Sequence, residues 1–225
     1  MLSNISTAEL DETPTTFELQ PLTIRTGAEI SGVDLKRPLT PLTIKEIWTA
    51  LLKWKVIFFR GQNLDHAQHT DFARQFGEPT IGHVIYGHID DHPEIYSIAR
   101  GRVRDRYQDE GLIRPWSGWH TDLTTAINPP SASILRSVTI PPYGGDTQWT
   151  NLVAAYEQLS PTLHEFLNTL RGIHAYESLD ASRADKNLST EHPLIRVHPE
   201  TGERILFLSP AFLQSIVGLT QRENK

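Results

Sequence analysis

The chain has 225 residues, of which 38% are hydrophobic and 21% are charged, so it can bury the core of one substantial domain. A formal net charge of −6 argues against a general nucleic-acid surface, and no window is apolar enough for a membrane span. Because cysteine is absent, disulfides and thiolate metal sites are excluded, and any metal must bind His, Asp or Glu. The N-terminus lacks the pattern of a signal peptide, and we expect a cytoplasmic protein.

The first third of the chain predicts a leader followed by two helices and a strand. Residues 1–17 are polar and acidic without periodicity, which predicts a mobile leader before a single domain over 18–225. The stretch "TPLTIKEIWTALLKWK" has apolar residues at helical spacing after a threonine that can cap. The apolar run "VIFFRGQ" predicts a buried strand, and "DHAQHTDFARQFGEP" predicts a second helix.

The rest of the chain is richer in strand and turn signals. Residues 80–118 are irregular, which is typical of binding loops when the segment is this long. "SASILRSVTI" predicts a strand, "PPYGGDTQW" a turn leading into another strand, and "HPLIRVHPETGERILFLS" a hairpin after one or two helices. Together these elements predict an α+β chain built on a mainly antiparallel sheet or barrel.

The stretch "SGWHTDLTTAINPP" contains a His-x-Asp pair, His120 and Asp122. On a strand, residues two apart point to the same face, so an imidazole and a carboxylate could meet at one point. Such a pair supplies two of the three ligands in the facial triad of non-haem Fe(II) sites. The pair by itself is also compatible with an ordinary piece of strand and turn, and the residues alone leave that alternative open.

Several blocks in addition to "WHTDLT" resemble the taurine dioxygenase (TauD/TfdA) family of Fe(II)- and 2-oxoglutarate-dependent oxygenases. They follow one another in the family's order: "GAEISGVDL", "KVIFFRGQ", "FARQFGEP", "PPSASILRSVTIPPYGGDTQWTN", "AAYEQLSP" and "HPLIRVHPETGERILF". The resemblance covers nearly the whole chain from about residue 20. It implies a double-stranded β-helix, or jelly roll, with flanking helices and with the C-terminal strands missing from this chain.

The resemblance also implies roles for individual residues. His120 and Asp122 become the first two iron ligands, and Thr147 becomes the hydroxyl that hydrogen-bonds a carboxylate of 2-oxoglutarate. His83 and Tyr86 lie where the sulfonate- and sulfate-using members have substrate contacts. Without the family, the residues favour a strand-start role for Thr147 and an incidental histidine in a polar loop for His83.

Two features depart from the family pattern. Trp116 stands where the taurine enzymes have a small amide, so it implies a substrate longer, flatter or more hydrophobic than taurine, unless it is a packing residue. The segment with the distal histidine ligand and the 2-oxoglutarate-binding arginine is not present, and we expect this chain to be part of a longer enzyme. His174, His192 and His198 are not assigned as the third ligand.

The activity implied is hydroxylation of a small organic acid with Fe(II), 2-oxoglutarate as cosubstrate and dioxygen. A sulfonate or sulfate ester, with release of sulfite or sulfate, is the expected substrate, and an aryloxyalkanoate or natural-product intermediate is the alternative. An inactive jelly-roll binding protein is the alternative of another class. The expected partner is the small molecule, with neither nucleic acid nor membrane, and the family implies a homodimer or homotetramer.

Overall fold

The computed structural model describes residues 5–82, 88–98, 118–176 and 188–224. The α-helices are α1 (Pro41–Trp54), α2 (His66–Arg74), α3 (Leu152–Glu157) and α4 (Pro161–Leu167). The strands are β1 (Glu18–Pro21), β2 (Ala28–Ser31), β3 (Ile57–Phe59), β4 (Arg171–Tyr176), β5 (Leu188–Pro193), β6 (Ile195–Val197), β7 (Arg204–Leu206) and β8 (Leu213–Ile216). Within these residues, no helix is both long and apolar enough to span a membrane.

The chain divides into two compact units. The first unit comprises Met1–Pro79, Ile134–Gln158 and Val197–Ile205, and the second comprises Thr80–Ser133, Leu159–Arg196 and Leu206–Lys225. Strands β1, β2 and β3 form one three-stranded sheet in that order, and a second sheet has the order β5, β4, β8. Strands β6 and β7 pair as a two-stranded hairpin, as the sequence predicts. The architecture is therefore α+β.

Helix α1 organises the first unit, and local sequence explains where it begins and ends. The Thr40 side chain accepts a hydrogen bond from the Thr43 backbone N–H, and Pro41 occupies the first turn, where its missing N–H costs nothing. The helix ends at Lys55, which adopts a left-handed conformation with φ 67°. Its apolar face contributes Ile47 and Ala50 to the core beneath the β1–β2–β3 sheet.

The leader packs on the same helix. Ile5 is buried in a cluster with Trp48 and Leu52, and the Glu9 carboxylate lies 2.8 Å from the Lys45 ammonium. Residues 5–17 therefore make specific contacts with α1, and the mobility of the leader stays a prediction. Polar and acidic composition does not show that these side chains find partners on α1.

The contact between the leader and α1 ends in a cluster of hydrogen bonds around one carboxylate. The backbone N–H and the hydroxyl of both Thr15 and Thr16 donate to Glu46, at distances from 2.6 to 3.0 Å. Burial raises the pKa of Glu46, but these four donors outweigh it, and the net pKa is lowered. The charged form of Glu46 therefore holds the leader beside the start of β1.

The second unit is built on β4, which pairs antiparallel with β5 on one side and β8 on the other. Gly172 of β4 lies opposite His192 of β5. A Cβ atom at Gly172 would come within 2.4 Å of a Leu213 methyl and 2.9 Å of a Leu194 methyl. Glycine therefore allows these leucine side chains to close over the strand.

Residues 131–150 do not form the two strands that their sequence predicts. They have no regular secondary structure and nearly all of them are exposed, although Gly144 and Gly145 make the expected turn with positive φ. The apolar alternation supplies β-propensity, but a strand also needs a neighbour for its backbone N–H and C=O groups. None of the described strands pairs with this segment.

Candidate metal centre

The structure brings together the side chains of His120 and Asp122. The imidazole Nε2 of His120 lies 3.4 Å from Oδ1 of Asp122. The side chains are 36% and 43% exposed, so the pair is accessible to ions and small molecules. Two ligands in neighbouring positions of an octahedral ion, each bonded at about 2.1 Å, are about 3 Å apart. The observed separation is close to that value.

Hydrogen bonds occupy the atoms of the pair that face away from each other. Nδ1 of His120 lies 2.9 Å from the Gly118 carbonyl oxygen, which can only accept, so Nδ1 carries the proton and the Nε2 lone pair is left free. The Ser133 hydroxyl donates to Oδ2 of Asp122 at 2.8 Å, which leaves Oδ1 facing Nε2. Such outer contacts commonly orient metal-binding side chains. The pair fits two ligands of an Fe(II) site.

The pair does not lie on a strand, contrary to the sequence interpretation. His120 is in an irregular segment, and Asp122 begins a turn that the Ala126 N–H closes by donating to the Leu123 carbonyl at 3.0 Å. Leu123 has φ 50°, in the left-handed region that non-glycine residues rarely adopt. The side chains of His120 and Asp122 therefore meet where the backbone is irregular and enters a turn, and not through strand alternation.

We call residues 120–126 the ligand turn, and three groups from distant parts of the second unit bind its backbone. The Ser209 hydroxyl accepts a hydrogen bond from the N–H of Thr121, between the two candidate ligands, at 3.1 Å. The Thr190 hydroxyl, on β5, donates to the Thr125 carbonyl at 2.6 Å. Ser209 is fully buried, so its contact is shielded from competing water.

The third group is the imidazole of His192, also on β5. Its Nε2 lies 2.9 Å from the Thr124 carbonyl oxygen and 3.1 Å from the Ala126 carbonyl oxygen. Both partners can only accept, so Nε2 carries a proton and donates to both. Burial lowers the pKa of His192, and the ring is neutral at pH 7. The sequence does not assign His192 as a metal ligand and does not predict its hydrogen bonds to the turn.

His174 lies next to His192 but has a different environment. It is fully buried on β4, with its ring stacked on Phe207 at 5.4 Å and edge-on to His192 at 5.5 Å. Neither ring nitrogen has a hydrogen-bond partner among the described residues. The described residues contain no cluster of three or more His, Asp or Glu side chains that could hold a metal ion. His174 therefore does not act as a third ligand beside His120 and Asp122.

Thr147 belongs to the first unit, where its side chain is exposed on an irregular segment. Two residues later the Trp149 ring packs edge-on against Phe58 at 5.4 Å. Asn151 then caps α3 by accepting from the N–H groups of Val153 and Ala154. Thr147 therefore lies just before the packed Trp149 ring and the Asn151 helix cap. His83, Tyr86 and Trp116 fall outside the described residues.

The α+β fold and the accessible His-x-Asp pair are features of the non-haem iron oxygenases. The family model of the taurine catabolism dioxygenase TauD, TfdA family matches residues 17–225. The chain belongs to this family, which confirms the relationship predicted from the sequence blocks. It is therefore an oxidoreductase of the 2-oxoglutarate-dependent type, which uses Fe(II), 2-oxoglutarate and dioxygen.

Individual relatives support the same assignment. The alpha-ketoglutarate-dependent sulfate ester dioxygenase of Pseudomonas putida is 35% identical, over 98% of this chain and 76% of that protein. The alkylsulfatase of Acinetobacter baylyi is 34% identical, over 93% of this chain and 68% of that protein. The crystal structure of a taurine dioxygenase from Burkholderia xenovorans matches with 55% identity and a TM-score of 0.79, over 93% of this chain and 69% of that one. The predicted jelly-roll fold class is confirmed by this likeness.

The imidazole of His174, which has no hydrogen-bond partner among the described residues, predicts a pH-dependent loss of stability. Burial, with a smaller contribution from the nearby His192, lowers the pKa of His174 from 6.5 to about 4. As the pH falls below 6.5, the unfolded chain takes up a proton at this position before the folded chain does. The contribution of neutral His174 to the free energy of unfolding is therefore complete above pH 6.5. It decreases by up to about 3 kcal/mol as the pH falls from 6.5 to 4.

The variant His174→Phe keeps an aromatic ring on Phe207 but cannot titrate. We expect it to gain stability relative to the wild type as the pH is lowered from 7.5 to 4.5, measured by urea unfolding at each pH. The difference between the two proteins cancels the titration of groups that do not interact with His174. A difference that stays constant across this range would contradict the neutral, buried state of His174.

Proposed function

We propose that this chain carries part of the active site of a dioxygenase that hydroxylates a sulfonate or a sulfate ester. The observation that carries the proposal is the His120–Asp122 pair, with Nε2 and Oδ1 facing each other at 3.4 Å on an accessible turn. The relatives support the substrate class, because one is named a sulfate ester dioxygenase and another an alkylsulfatase. Hydroxylation at the carbon that bears the sulfur group would release sulfite or sulfate with an aldehyde.

In this proposal His120 and Asp122 hold Fe(II) through Nε2 and Oδ1. The bound iron, together with 2-oxoglutarate and dioxygen, supplies the oxidising power that no amino-acid side chain has. The protein contributes orientation: the Gly118 carbonyl keeps the His120 proton on Nδ1, and the Ser133 hydroxyl holds the Asp122 carboxylate. Both contacts involve the outer atoms and leave Nε2 and Oδ1 available to a metal.

Replacing either proposed ligand tests the site directly. We expect His120→Ala and Asp122→Ala each to abolish the absorption band that Fe(II) and 2-oxoglutarate give together under anaerobic conditions, and with it the formation of succinate. His88→Ala is the matched control, because His88 is an exposed histidine of the same unit with no assigned role. If a ligand variant retains the band and the activity, that residue is not a ligand.

The substrate class is tested by the products. We expect alkyl sulfates or alkyl sulfonates to give one sulfate or sulfite for each succinate formed. Aryloxyalkanoates are the comparison set, because a 2,4-dichlorophenoxyacetate dioxygenase from Cupriavidus pinatubonensis is 30% identical to this chain. Succinate formed with these acids and with no sulfur compound would overturn the sulfonate or sulfate proposal while preserving the oxygenase.

For the substrate side we propose contacts from His83 and Tyr86, whose imidazole and phenol suit the tetrahedral oxygens of a sulfonate or sulfate. We also propose that Trp116 forms an apolar wall that disfavours taurine itself. An assembly of two or four copies and a cytoplasmic location stay predictions.

Thr147 is proposed to donate its hydroxyl to a carboxylate of 2-oxoglutarate. Thr147→Val keeps the shape of the side chain and removes the donor, so we expect the apparent KM for 2-oxoglutarate to rise by about tenfold, as for the loss of one hydrogen bond to a charged group. Thr147→Ser keeps the hydroxyl and serves as the control. An unchanged KM in the valine variant would remove Thr147 from the cosubstrate site.

The alternative of another class is a jelly-roll protein that binds a small molecule without turnover. The accessible pair of candidate ligands favours the enzyme. Anaerobic titration of the unmodified protein with Fe(II) separates the two, because only the enzyme needs the metal. Failure to bind Fe(II) would support the binding protein.

A further inference from the structure

The ligand turn contains an unfavourable backbone conformation directly after one of its proposed ligands. Leu123 follows Asp122 and has φ 50°, where the side chain of an L-residue other than glycine meets the backbone. Contacts from outside the turn are therefore needed to offset the cost of this conformation. Among the residues of this turn, His120 and Asp122 lie 3.4 Å apart.

The groups that hold it converge on the residues after Leu123. Nε2 of His192 bridges the carbonyls of Thr124 and Ala126, which lie on either side of Thr125. Thr124 is 0% exposed and His192 is 4% exposed, so the contact with the Thr124 carbonyl is shielded from water. One buried N–H thus fixes two peptide groups of the same turn.

The position of His192 is itself fixed. It lies within β5, where it is paired across from Gly172 of the central strand β4. Its ring packs edge-on against Phe207 at 5.2 Å, and Arg196 lies over the Phe207 ring at 5.0 Å. The sheet therefore provides a rigid support from which the imidazole reaches the turn.

We propose that His192 is a positioning residue for the metal pair, acting through the backbone of the ligand turn, with Thr190 and Ser209 as secondary supports. The proposal rests on the proposed function, since it assumes that His120 and Asp122 bind the metal. His192 touches neither the metal nor the substrate in this role. Its buried N–H keeps a strained turn in the conformation in which the two ligand atoms face each other.

The structure offers a matched control for this proposal in His174. Both histidines are buried, they lie on adjacent strands, and their rings touch each other and Phe207. Only His192 makes hydrogen bonds to the ligand turn, because the nitrogens of His174 have no partner among the described residues. Substituting leucine at either position removes a buried imidazole, but only one substitution releases the turn.

The experiment compares His192→Leu, His174→Leu and His192→Gln with the wild type. Anaerobic calorimetry with Fe(II) alone measures metal affinity, and hydrogen exchange of the metal-free protein measures the order of residues 120–126. We expect His192→Leu to bind Fe(II) at least about tenfold more weakly, as is typical when a group that orients a ligand is lost. Its ligand turn should also exchange faster. His174→Leu should match the wild type in both measurements.

The glutamine variant provides the rescue, because its amide Nε2 can reach the carbonyls that the imidazole Nε2 reaches. We expect it to recover most of the affinity and of the protection from exchange. If His192→Leu does not fold, Thr190→Val and Ser209→Ala each remove one of the other supports and are expected to weaken Fe(II) binding severalfold.

Equal affinity and equal exchange in the two leucine variants would overturn the positioning role. If the wild type itself does not bind Fe(II), the proposed function fails and the role in metal positioning fails with it. Hydrogen exchange still decides in that case whether His192 orders the turn. The two failures are therefore distinguishable.

Discussion

The candidate site depends on hydrogen bonds to the backbone of one strained turn. A left-handed residue other than glycine, such as Leu123, costs about 1–2 kcal/mol. Each hydrogen bond to the turn contributes about 0.5–1.5 kcal/mol, and the supports provided by His192, Thr190 and Ser209 make four of them. Together they outweigh the strain, so the turn keeps its shape before any metal arrives.

The ligand turn has a buried inner side and a partly exposed outer side. Its inner side is closed, because Thr124 and Thr125 are buried and their carbonyls point to groups on β5. Its outer side presents His120 and Asp122, which remain partly exposed. In their proposed role as two iron ligands, they would leave the remaining coordination positions open to cosubstrate and dioxygen. The sulfate ester dioxygenase and the alkylsulfatase match this chain over 98% and 93% of its length.

In two segments the sequence did not indicate the tertiary contacts, because composition and alternation do not specify which distant residues will lie nearby. The leader is polar and acidic, yet Glu46 collects four hydrogen bonds from two of its threonines and the leader packs on α1. Residues 131–140 alternate like a strand, yet no described strand pairs with them and they stay irregular. The leader contacts a residue 31 positions further along the chain, whereas no described strand provides backbone partners for residues 131–140.

The sequence by itself determined the helices α1 and α2, the β6–β7 hairpin and the family, because caps, periodicity and collinear blocks are local signals. It also singled out His120 and Asp122 as a pair. Only the tertiary structure decided how they meet, since Leu123 turns the chain where a strand was expected. It alone revealed His192 and Ser209, which bind Thr124 and Thr121 at separations of 68 and 88 residues, because hydrogen bonds over such separations leave no pattern along the sequence.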